Sequence, residues 1–271
     1  MMGAEERKGT EKGAAGVDEM DVKKISEKGS ITKILVKGVD AALMNSVRRT
    51  IMNNTPVIAI EDVYIYDNNS VMFDEFLAHR LALIPVKSDP KSYKSGEKVK
   101  MILDKEGPCT VYSKDIQSTD PAIEVIDKKI PIVKLKKGQR VRLEMDAVAG
   151  TGKIHSKWQP ALVSYYEVPN VSFDMKKIGD ANKFVGKCPK GVLEVKAGKV
   201  VLADGINADI DLLTKCRDIA PEGAMEIEFQ DDAFVVVIDN YGNLKTDVVF
   251  TLAADALKQK TEELRKELKK L

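Results

Sequence analysis

Thiols and imidazoles are the side chains of this chain best suited to metal binding or nucleophilic chemistry, and they are few. The sequence of 271 residues contains Cys109, Cys188 and Cys216 together with His79 and His155. Zinc sites and iron–sulfur clusters need three or four ligands at recognisable spacing, and no Cys-x-x-Cys pair occurs. No catalytic partner of His155 is fixed by sequence, which favours a packed or hydrogen-bonding role. The pattern predicts no active site, while a bridge between Cys188 and Cys216 stays open.

Hydrogen-bond donors form a second group, in the segment Asn-Ser-Val-Arg-Arg at 45–49. Planar guanidinium groups make directional bonds to carboxylates and carbonyls, so the two arginines suit contacts with another protein. Asp40 is placed to cap a helix and Pro56 to stop it. The sequence therefore predicts a helix over roughly residues 41–54.

Helical periodicity divides this segment into two faces. At 100° per residue, one arc is apolar and consists of Leu43, Met44, Val47 and Ile51. Asn45 and Arg49 lie about opposite, and Arg48 stands at the edge of the apolar arc. We therefore expect one face of the helix to pack and the other to present donors.

The residues after Pro56 predict strands and a second helix. The run 57–68 is typical of a mostly buried strand, and a helix fits residues 73–83, stopped by Pro85. Three apolar side chains of this helix are expected to point inward: Phe76, Leu77 and Leu81. Short strands broken by Gly and Pro follow, so a β-rich lobe is predicted over 57–168.

The last hundred residues predict two hairpins and two helices. A turn at Ala197-Gly198 precedes a helix near Ile206 to Lys215, and Asp231-Asp232 is interpreted as the turn of the second hairpin. A long helix then runs from about Thr246 to the end of the sequence. Its apolar positions are Phe250, Ala253, Leu257, Leu264, Leu268 and Leu271. This stripe needs a partner surface, either the chain's own sheet or a second chain.

Composition excludes some classes of function. Lys plus Arg number 43 and Asp plus Glu 42, so the net charge of +1 gives no general attraction to nucleic acid. Trp158 is interpreted as a packing anchor, and the basic strand 134–142 lacks the aromatics of single-strand binders. Residues 1–20 have too few large apolar side chains to order and are predicted to be a disordered tail. Without a long apolar run or a signal sequence, we expect a cytoplasmic protein and no membrane span.

Three segments together carry a family resemblance. They are NSVRR at 45–49, TPVIAIEDV at 55–63 and FDEFLAHRLALIPV at 73–86, in this order and spacing. The chain resembles the D-type subunits of archaeal RNA polymerases, the counterparts of the bacterial α amino-terminal region and of the third-largest subunit of eukaryotic polymerase II. Residues 133–145, residues 150–161 and the terminal helix match as well. The resemblance covers roughly residues 21–271.

The resemblance implies an α+β fold. Its parts are a discontinuous α-type dimerisation domain (21–56 plus 224–271), an inserted β-rich domain (57–168) and a ferredoxin-like insertion (169–223). In some family members this insertion carries iron–sulfur clusters, each held by three or four clustered thiolates. Only Cys188 and Cys216 fall within it here. We therefore expect the cluster to be absent and apolar packing to hold the lobe.

The resemblance also implies a non-catalytic, scaffolding role. In this family the D-type chain pairs with the smaller homologous subunit L, and the pair carries the second-largest catalytic subunit and the small subunits N and P. On this basis the dimer face comprises Leu43, Val47, Ile51, Phe250, Leu257 and Leu264. Candidates for contact with the large subunit are Asn45, Arg48, Arg49, His79 and Arg80. No cofactor and no direct nucleic-acid contact are expected; an electron-carrying ferredoxin-like protein and a homodimeric binding module remain alternatives.

Overall fold

The computed structural model describes residues 20–89, 97–203, 205 and 209–271. The tail predicted over residues 1–20 lies outside this description except for Met20. Across the described residues the protein is a mixed α+β structure with antiparallel strand pairs and six α-helices. The coarse fold class expected from the sequence is therefore confirmed.

The helices follow the predicted order. They are α1 (Ala41–Asn54), α2 (Asp74–Ala82), α3 (Met175–Ile178), α4 (Ala181–Lys187), α5 (Ile210–Ile219) and α6 (Thr246–Leu268). The strands are β1 (Asp21–Lys28), β2 (Ile31–Lys37), β3 (Pro56–Asn68), β4 (Lys98–Glu106), β5 (Cys109–Tyr112), β6 (Gln117–Ser118), β7 (Pro131–Leu135), β8 (Arg140–Thr151), β9 (Ala161–Phe173), β10 (Leu193–Lys196), β11 (Lys199–Leu202) and β12 (Met225–Asn240). The range predicted for the first helix is confirmed, and α2 begins and ends one residue inside its predicted range.

The strands form four sheets. Their orders are β1-β2-β12-β9, β3-β8-β4-β6, β5-β7 and β10-β11. The chain separates into two compact units, which comprise, of the described residues, 20–23, 35–40 and 167–234 in the smaller and 24–34, 41–166 and 235–271 in the larger.

The larger unit is built on the β3-β8-β4-β6 sheet. In β4 every second residue is buried, which is the alternation that a strand imposes on its side chains. Met101 and Leu103 of β4 lie opposite Met145 and Leu143 of β8, and all four side chains are fully buried. Helix α2 packs on this core, and its exposed residues contribute to one of the candidate surfaces described below.

The smaller unit contains α3, α4, α5 and the β10–β11 hairpin. Asp174, Asp180 and Asp209 each accept backbone N–H bonds from the first turns of α3, α4 and α5, which satisfies donors that a helix start leaves unpaired. The hairpin turns at Ala197-Gly198, with φ angles of 49° and 75°. Positive φ at both central residues is the geometry of a two-residue hairpin, so this predicted turn is confirmed.

Helix α5 begins later than the sequence indicated. We expected a helix from about Ile206 to Lys215, and α5 spans Ile210–Ile219, while residue 206 lies outside the described residues. The Asp209 carboxylate explains the starting point, because it accepts from the N–H groups that open the helix.

The hairpin predicted around Asp231-Asp232 is wrong. Met225–Asn240 is one strand of 16 residues that passes straight through both aspartates. Their side chains are exposed, so continuing the strand buries no charge. The Asp232 carbonyl accepts backbone N–H bonds from Gly38 at 2.9 Å and Val39 at 3.3 Å. These two hydrogen bonds stabilise the extended strand at Asp232, and a turn at Asp231-Asp232 would break them.

Candidate subunit-interaction surfaces

Helices α1 and α6 pack against each other in the larger unit and form the first candidate surface. The buried residues of the two helices are Met44, Thr50, Ile51, Val249 and Ala253. The Lys260 ammonium donates to Oδ1 of Asn54 at 2.9 Å and links the end of α1 to the middle of α6. The side of the pair with accessible apolar residues, defined by Leu43, Val47, Leu257 and Leu264, is called the helix-pair surface below.

The carboxy-terminal half of α6 is exposed on every side among the described residues. From Lys258 onward each side chain of the helix is exposed, including Leu264 at 60% and Leu268 at 57%. With Leu257, these leucines form one apolar stripe. Short isolated helices are marginal in water, and most of their stability in proteins comes from packing an apolar face. The stripe is therefore a candidate for covering by a second chain.

The six residues expected to form a dimer face differ in accessibility. Leu43 and Leu264 are exposed, and Val47, Phe250 and Leu257 are half-buried. Ile51, in contrast, has no accessible surface. Ile51 is part of the core of this chain, so a partner can contact only the other five residues.

The donor face of α1 contains two arginines in different environments. The Nε and Nη2 of Arg48 donate to Oδ1 of Asn45 at 3.3 and 3.0 Å, and its Nη1 lies 3.8 Å from the sulfur of Met52. Arg49 is exposed and forms no hydrogen bond or ion pair through its side chain with any described residue. The structure thus brings Asn45 and Arg48 together and leaves the Arg49 guanidinium accessible to a partner.

His79 and Arg80 lie on a different element, α2. The Nε and Nη2 of Arg80 donate to the backbone carbonyls of Ile132 and Pro131 at 3.1 and 2.5 Å. These bonds fasten α2 to the beginning of β7. His79 is exposed beside it. Arg80 therefore has a structural role in this chain, and its accessible edge is held in a fixed position.

Phe76 does not point inward, so that expectation is wrong. Its side chain is 64% exposed, whereas Leu77 and Leu81 are fully buried. Leu77 and Leu81 are four residues apart and share the arc of α2 that faces the sheet, while Phe76 lies about 100° away on the arc that carries Arg80. A helix of nine residues against one sheet buries only one of these arcs.

The exposed arc of α2 borders an open cavity of about 730 Å³, which we call the aromatic cleft. Its lining residues are Val71, Met72, Phe73, Phe76, His79, Arg80, Val133, Lys134 and Lys136. Phe73 is 72% exposed and Val71 73%. Sequence reasoning missed this surface, although apolar residues on two adjacent arcs of one short helix were a signal for it.

The segment around Trp158 fastens two strands together. Trp158 is 4% exposed, and its Nε1 donates to a carbonyl of β8 at 3.1 Å. The Lys157 ammonium lies 4.4 Å from the indole centre, donates to the carbonyl of Ile60 and pairs with Glu61. The Nδ1 of His155 accepts the N–H of Lys157 at 3.1 Å. The packing role predicted for Trp158 and the hydrogen-bonding role predicted for His155 are confirmed.

Cys188 and Cys216 are neighbours in the apolar core of the smaller unit. Burial, reinforced by the adjacent Cys188 thiol, raises the pKa of Cys216 to about 12, so this sulfur is a neutral thiol near pH 7. Cys109 belongs to the larger unit, where its thiol lies 3.4 Å from the carbonyl of Glu106. An iron–sulfur cluster needs three or four thiolates. The two thiols of this unit are therefore too few to hold the iron–sulfur cluster found in some members of the resembled family.

Neither a metal centre nor a membrane span is formed by the part of the chain that the structure describes. Within residues 20–89, 97–203, 205 and 209–271, no three His, Cys, Asp or Glu side chains converge as metal ligands. Among the same residues, no helix is both long and apolar enough to cross a membrane.

Comparison with known proteins decides the family. Residues 63–164 match the model of the RNA polymerase Rpb3/RpoA insert domain. The chain is 35% identical to DNA-directed RNA polymerase subunit Rpo3 of Methanosphaera stadtmanae, over 85% of this chain and 92% of that relative. The chain belongs to the archaeal Rpo3 family of DNA-directed RNA polymerase subunits. The resemblance inferred from the three ordered segments is thereby confirmed.

Further Rpo3 relatives extend the match. The subunit of Methanosarcina mazei is 34% identical over 91% of this chain and 96% of its own length. That of Methanocaldococcus jannaschii is 49% identical over 50% of this chain and 70% of the relative. The matched insert domain, residues 63–164, falls within the β-rich lobe predicted over 57–168, whose boundaries remain a prediction. Membership of the Rpo3 family places this chain in transcription, as one subunit among those of a polymerase.

Proposed function

We propose that this chain is an assembly-platform subunit of an archaeal DNA-dependent RNA polymerase. It pairs with subunit L through the helix-pair surface and recruits the second-largest catalytic subunit and the small subunits N and P. The observation that carries the proposal is the leucine stripe of α6, which is exposed along the last three turns of the helix.

Burial of the stripe gives the free energy for pairing. Burying a fully exposed leucine contributes about 1.5–3 kcal/mol, and Leu264 and Leu268 are 60% and 57% exposed, so covering both supplies about 2–3.5 kcal/mol toward a dimer. Leu43, Val47 and Leu257 extend the same apolar area across α1 and α6. Family membership favours subunit L, the smaller homologous chain, as the partner rather than a second copy.

The donor face of α1 is the proposed contact for the second-largest catalytic subunit. Arg48 is held by Asn45, so it loses little freedom when a carboxylate or carbonyl approaches. Arg49 is exposed and can make a bidentate bond. His79 and Arg80, on α2, are proposed as a second point of contact with the polymerase.

The mechanism is positional. Association of several large chains costs translational and rotational freedom at every step. A preformed pair presents several contact sites at once, so binding at one site raises the effective concentration at the next. The chain would thus accelerate and order assembly without touching nucleotide, catalytic metal or template.

The finer architecture is part of the same proposal. Residues 21–56 plus 224–271 form the dimerisation domain, 57–168 the inserted β-rich domain, and 169–223 a ferredoxin-like lobe. We propose that this lobe carries no iron–sulfur cluster, because Cys188 and Cys216 supply only two of the three or four thiolates that a cluster needs. The visible absorption spectrum of the purified chain tests this point, since a brown protein would restore the electron-carrier alternative.

Stepwise reconstitution tests the platform role. The second-largest catalytic subunit is added to this chain alone, to subunit L alone, and to the co-expressed pair, and complexes are resolved by size-exclusion chromatography. We expect stable recruitment by the pair and weaker or no recruitment by either chain alone. Recruitment by subunit L without this chain would contradict the proposal.

A further inference from the structure

The aromatic cleft exposes apolar surface that the chain itself does not cover. Phe73, the residue that precedes α2, and Phe76, in the first turn of the helix, both line the cleft and are 72% and 64% exposed. Val71, Met72 and Val133 add further apolar surface to the lining of the cleft. Two neighbouring phenylalanines in this degree of contact with water are a costly arrangement for a monomer and mark an interaction site.

The rim of the cleft has a single sign of charge. Arg80, Lys134 and Lys136 line it together with His79, and none of the lining residues is acidic. Lys134 and Lys136 are exposed and form no ion pair with any described residue. Asp74 and Glu75, at the start of α2, lie outside this lining and form no ion pair with these cations among the described residues. The field at this cleft therefore attracts negative charge.

The cleft is also held in shape before any partner arrives. Arg80 ties α2 to the backbone of Pro131 and Ile132. On the other side, Nδ2 of Asn68 donates to the Met72 carbonyl at 2.9 Å and to the Asp74 carboxylate at 2.7 Å, which fixes the turn that leads into α2. A surface fixed in this way loses little conformational freedom on binding.

We propose that the aromatic cleft binds an acidic segment of a partner protein. Apolar side chains of that segment cover Phe73 and Phe76, and its carboxylates pair with Lys134 and Lys136. Single-stranded nucleic acid fits less well, because stacking platforms spread aromatics along a groove that follows the phosphates. Here the two phenylalanines are three residues apart at the start of α2, and the other apolar residues that line the cleft are aliphatic or methionine. Binding at this cleft does not require pairing with subunit L.

The test uses the full chain and a fluorescein-labelled amphipathic peptide of about 12 residues, roughly three helical turns, that combines Leu and Phe with Glu. Binding is followed by fluorescence anisotropy. A peptide of the same pattern with Lys in place of Glu and a single-stranded oligodeoxythymidylate serve as comparison probes. We expect the acidic peptide to bind, and to bind at least about tenfold more tightly than the basic one, a difference of about 1.4 kcal/mol.

Variants locate the binding. Phe76→Ala and the double change Lys134→Glu with Lys136→Glu are each expected to weaken binding of the acidic peptide about tenfold or more. Matched controls are Tyr66→Ala, another exposed aromatic, and Lys100→Glu, another exposed lysine of the same unit, which should stay within about twofold of the parent. All of these positions are exposed, so circular dichroism should show unchanged folding.

Four results would overturn the inference. They are no binding of the acidic peptide by the parent chain, equal binding of the basic peptide, equal loss in the control variants, and tighter Phe76-dependent binding of the oligonucleotide. The last result would reassign the cleft to nucleic acid. None of them involves subunit L, so failure here is distinguishable from failure of the platform role.

Discussion

At the residue scale, Arg48 and Arg49 are adjacent in sequence but lie in different environments. Arg48 is held by Asn45 and lies against the sulfur of Met52, whereas Arg49 is exposed without a partner among the described residues. Helical geometry separates adjacent side chains by about 100°, so the Arg48 guanidinium bonds within the chain while the Arg49 guanidinium is accessible.

Substitution of Arg49 tests the external contact. We expect Arg49→Ala to leave the fold and the pairing with subunit L intact but to weaken recruitment of the second-largest catalytic subunit about tenfold, the loss of one or two charge-assisted hydrogen bonds. Binding of that subunit to the purified pair measures the effect. Arg217→Ala, in the smaller unit, is the matched control. Equal recruitment by both variants would remove Arg49 from the interface.

Gly150 tests the packing around Trp158. A Cβ at this position would overlap the indole ring, so Gly150→Ala is expected to lower the free energy of unfolding by about 1–3 kcal/mol. The control is Gly186→Ala in α4, where an added Cβ meets nothing within 4 Å and should be neutral or stabilising. Urea denaturation measures both. Equal stability of the two variants would show that the indole can move aside.

The environment of the Asp115 carboxylate leads us to expect that the stability of the fold depends on pH. Partial burial favours its neutral acid, but the Tyr112 N–H and the Lys105 ammonium, each at 2.9 Å, outweigh burial and hold the pKa of Asp115 below its ordinary value. The unfolded chain therefore takes up this proton more readily than the native state. The resulting stability is present at neutral pH and is lost as the pH falls through the lowered native pKa.

Asp115→Asn is accordingly expected to cost about 1 kcal/mol at neutral pH. The difference from the parent chain should shrink as the pH falls below about 4, where the unfolded carboxylate becomes protonated. Urea unfolding at both ends of this range gives the comparison. A difference that stays constant with pH would mean that the carboxylate charge contributes nothing.

At the scale of elements, the end of α6 is the segment that the chain does not stabilise by its own packing. We expect Leu264→Asp to fold normally, because the side chain is 60% exposed, but to lose pairing with subunit L, since an unpaired charge in an apolar interface costs several kcal/mol. Lys266→Glu, about 200° around the same helix, is the control and should pair normally. Light scattering of co-expressed complexes separates these outcomes. Normal pairing of the Leu264 variant would show that the apolar face has been placed wrongly.

Elements with a clear hydrophobic periodicity could be predicted from the sequence. Elements whose bounds depend on hydrogen bonds to distant parts of the chain could not. The range of α1 followed from Asp40, Pro56 and helical spacing. The break at Asp231-Asp232 was wrong because the local preference of Asp for turns is weaker than pairing of the strand with residues 38 and 39. Phe76 was misplaced for a related reason, since periodicity does not say which of two apolar arcs the sheet will cover.

At the scale of the whole molecule, the family could be inferred from the sequence, whereas the surfaces could not be ranked. Three ordered segments sufficed for the Rpo3 family. Nothing in the sequence showed that Ile51 would be buried in the core of the chain or that Phe73 would be exposed to solvent. Such distinctions depend on which apolar residues the tertiary packing leaves uncovered, a property of the folded chain and not of any segment.

We propose that this chain acts as one half of a heterodimeric platform. The most direct measurement is size-exclusion chromatography with light scattering on the chain alone and co-expressed with subunit L from the same organism. We predict a complex whose mass equals one copy of each chain, formed whenever subunit L is present. A stable homodimer that ignores subunit L would contradict the account and leave a self-contained binding module in its place.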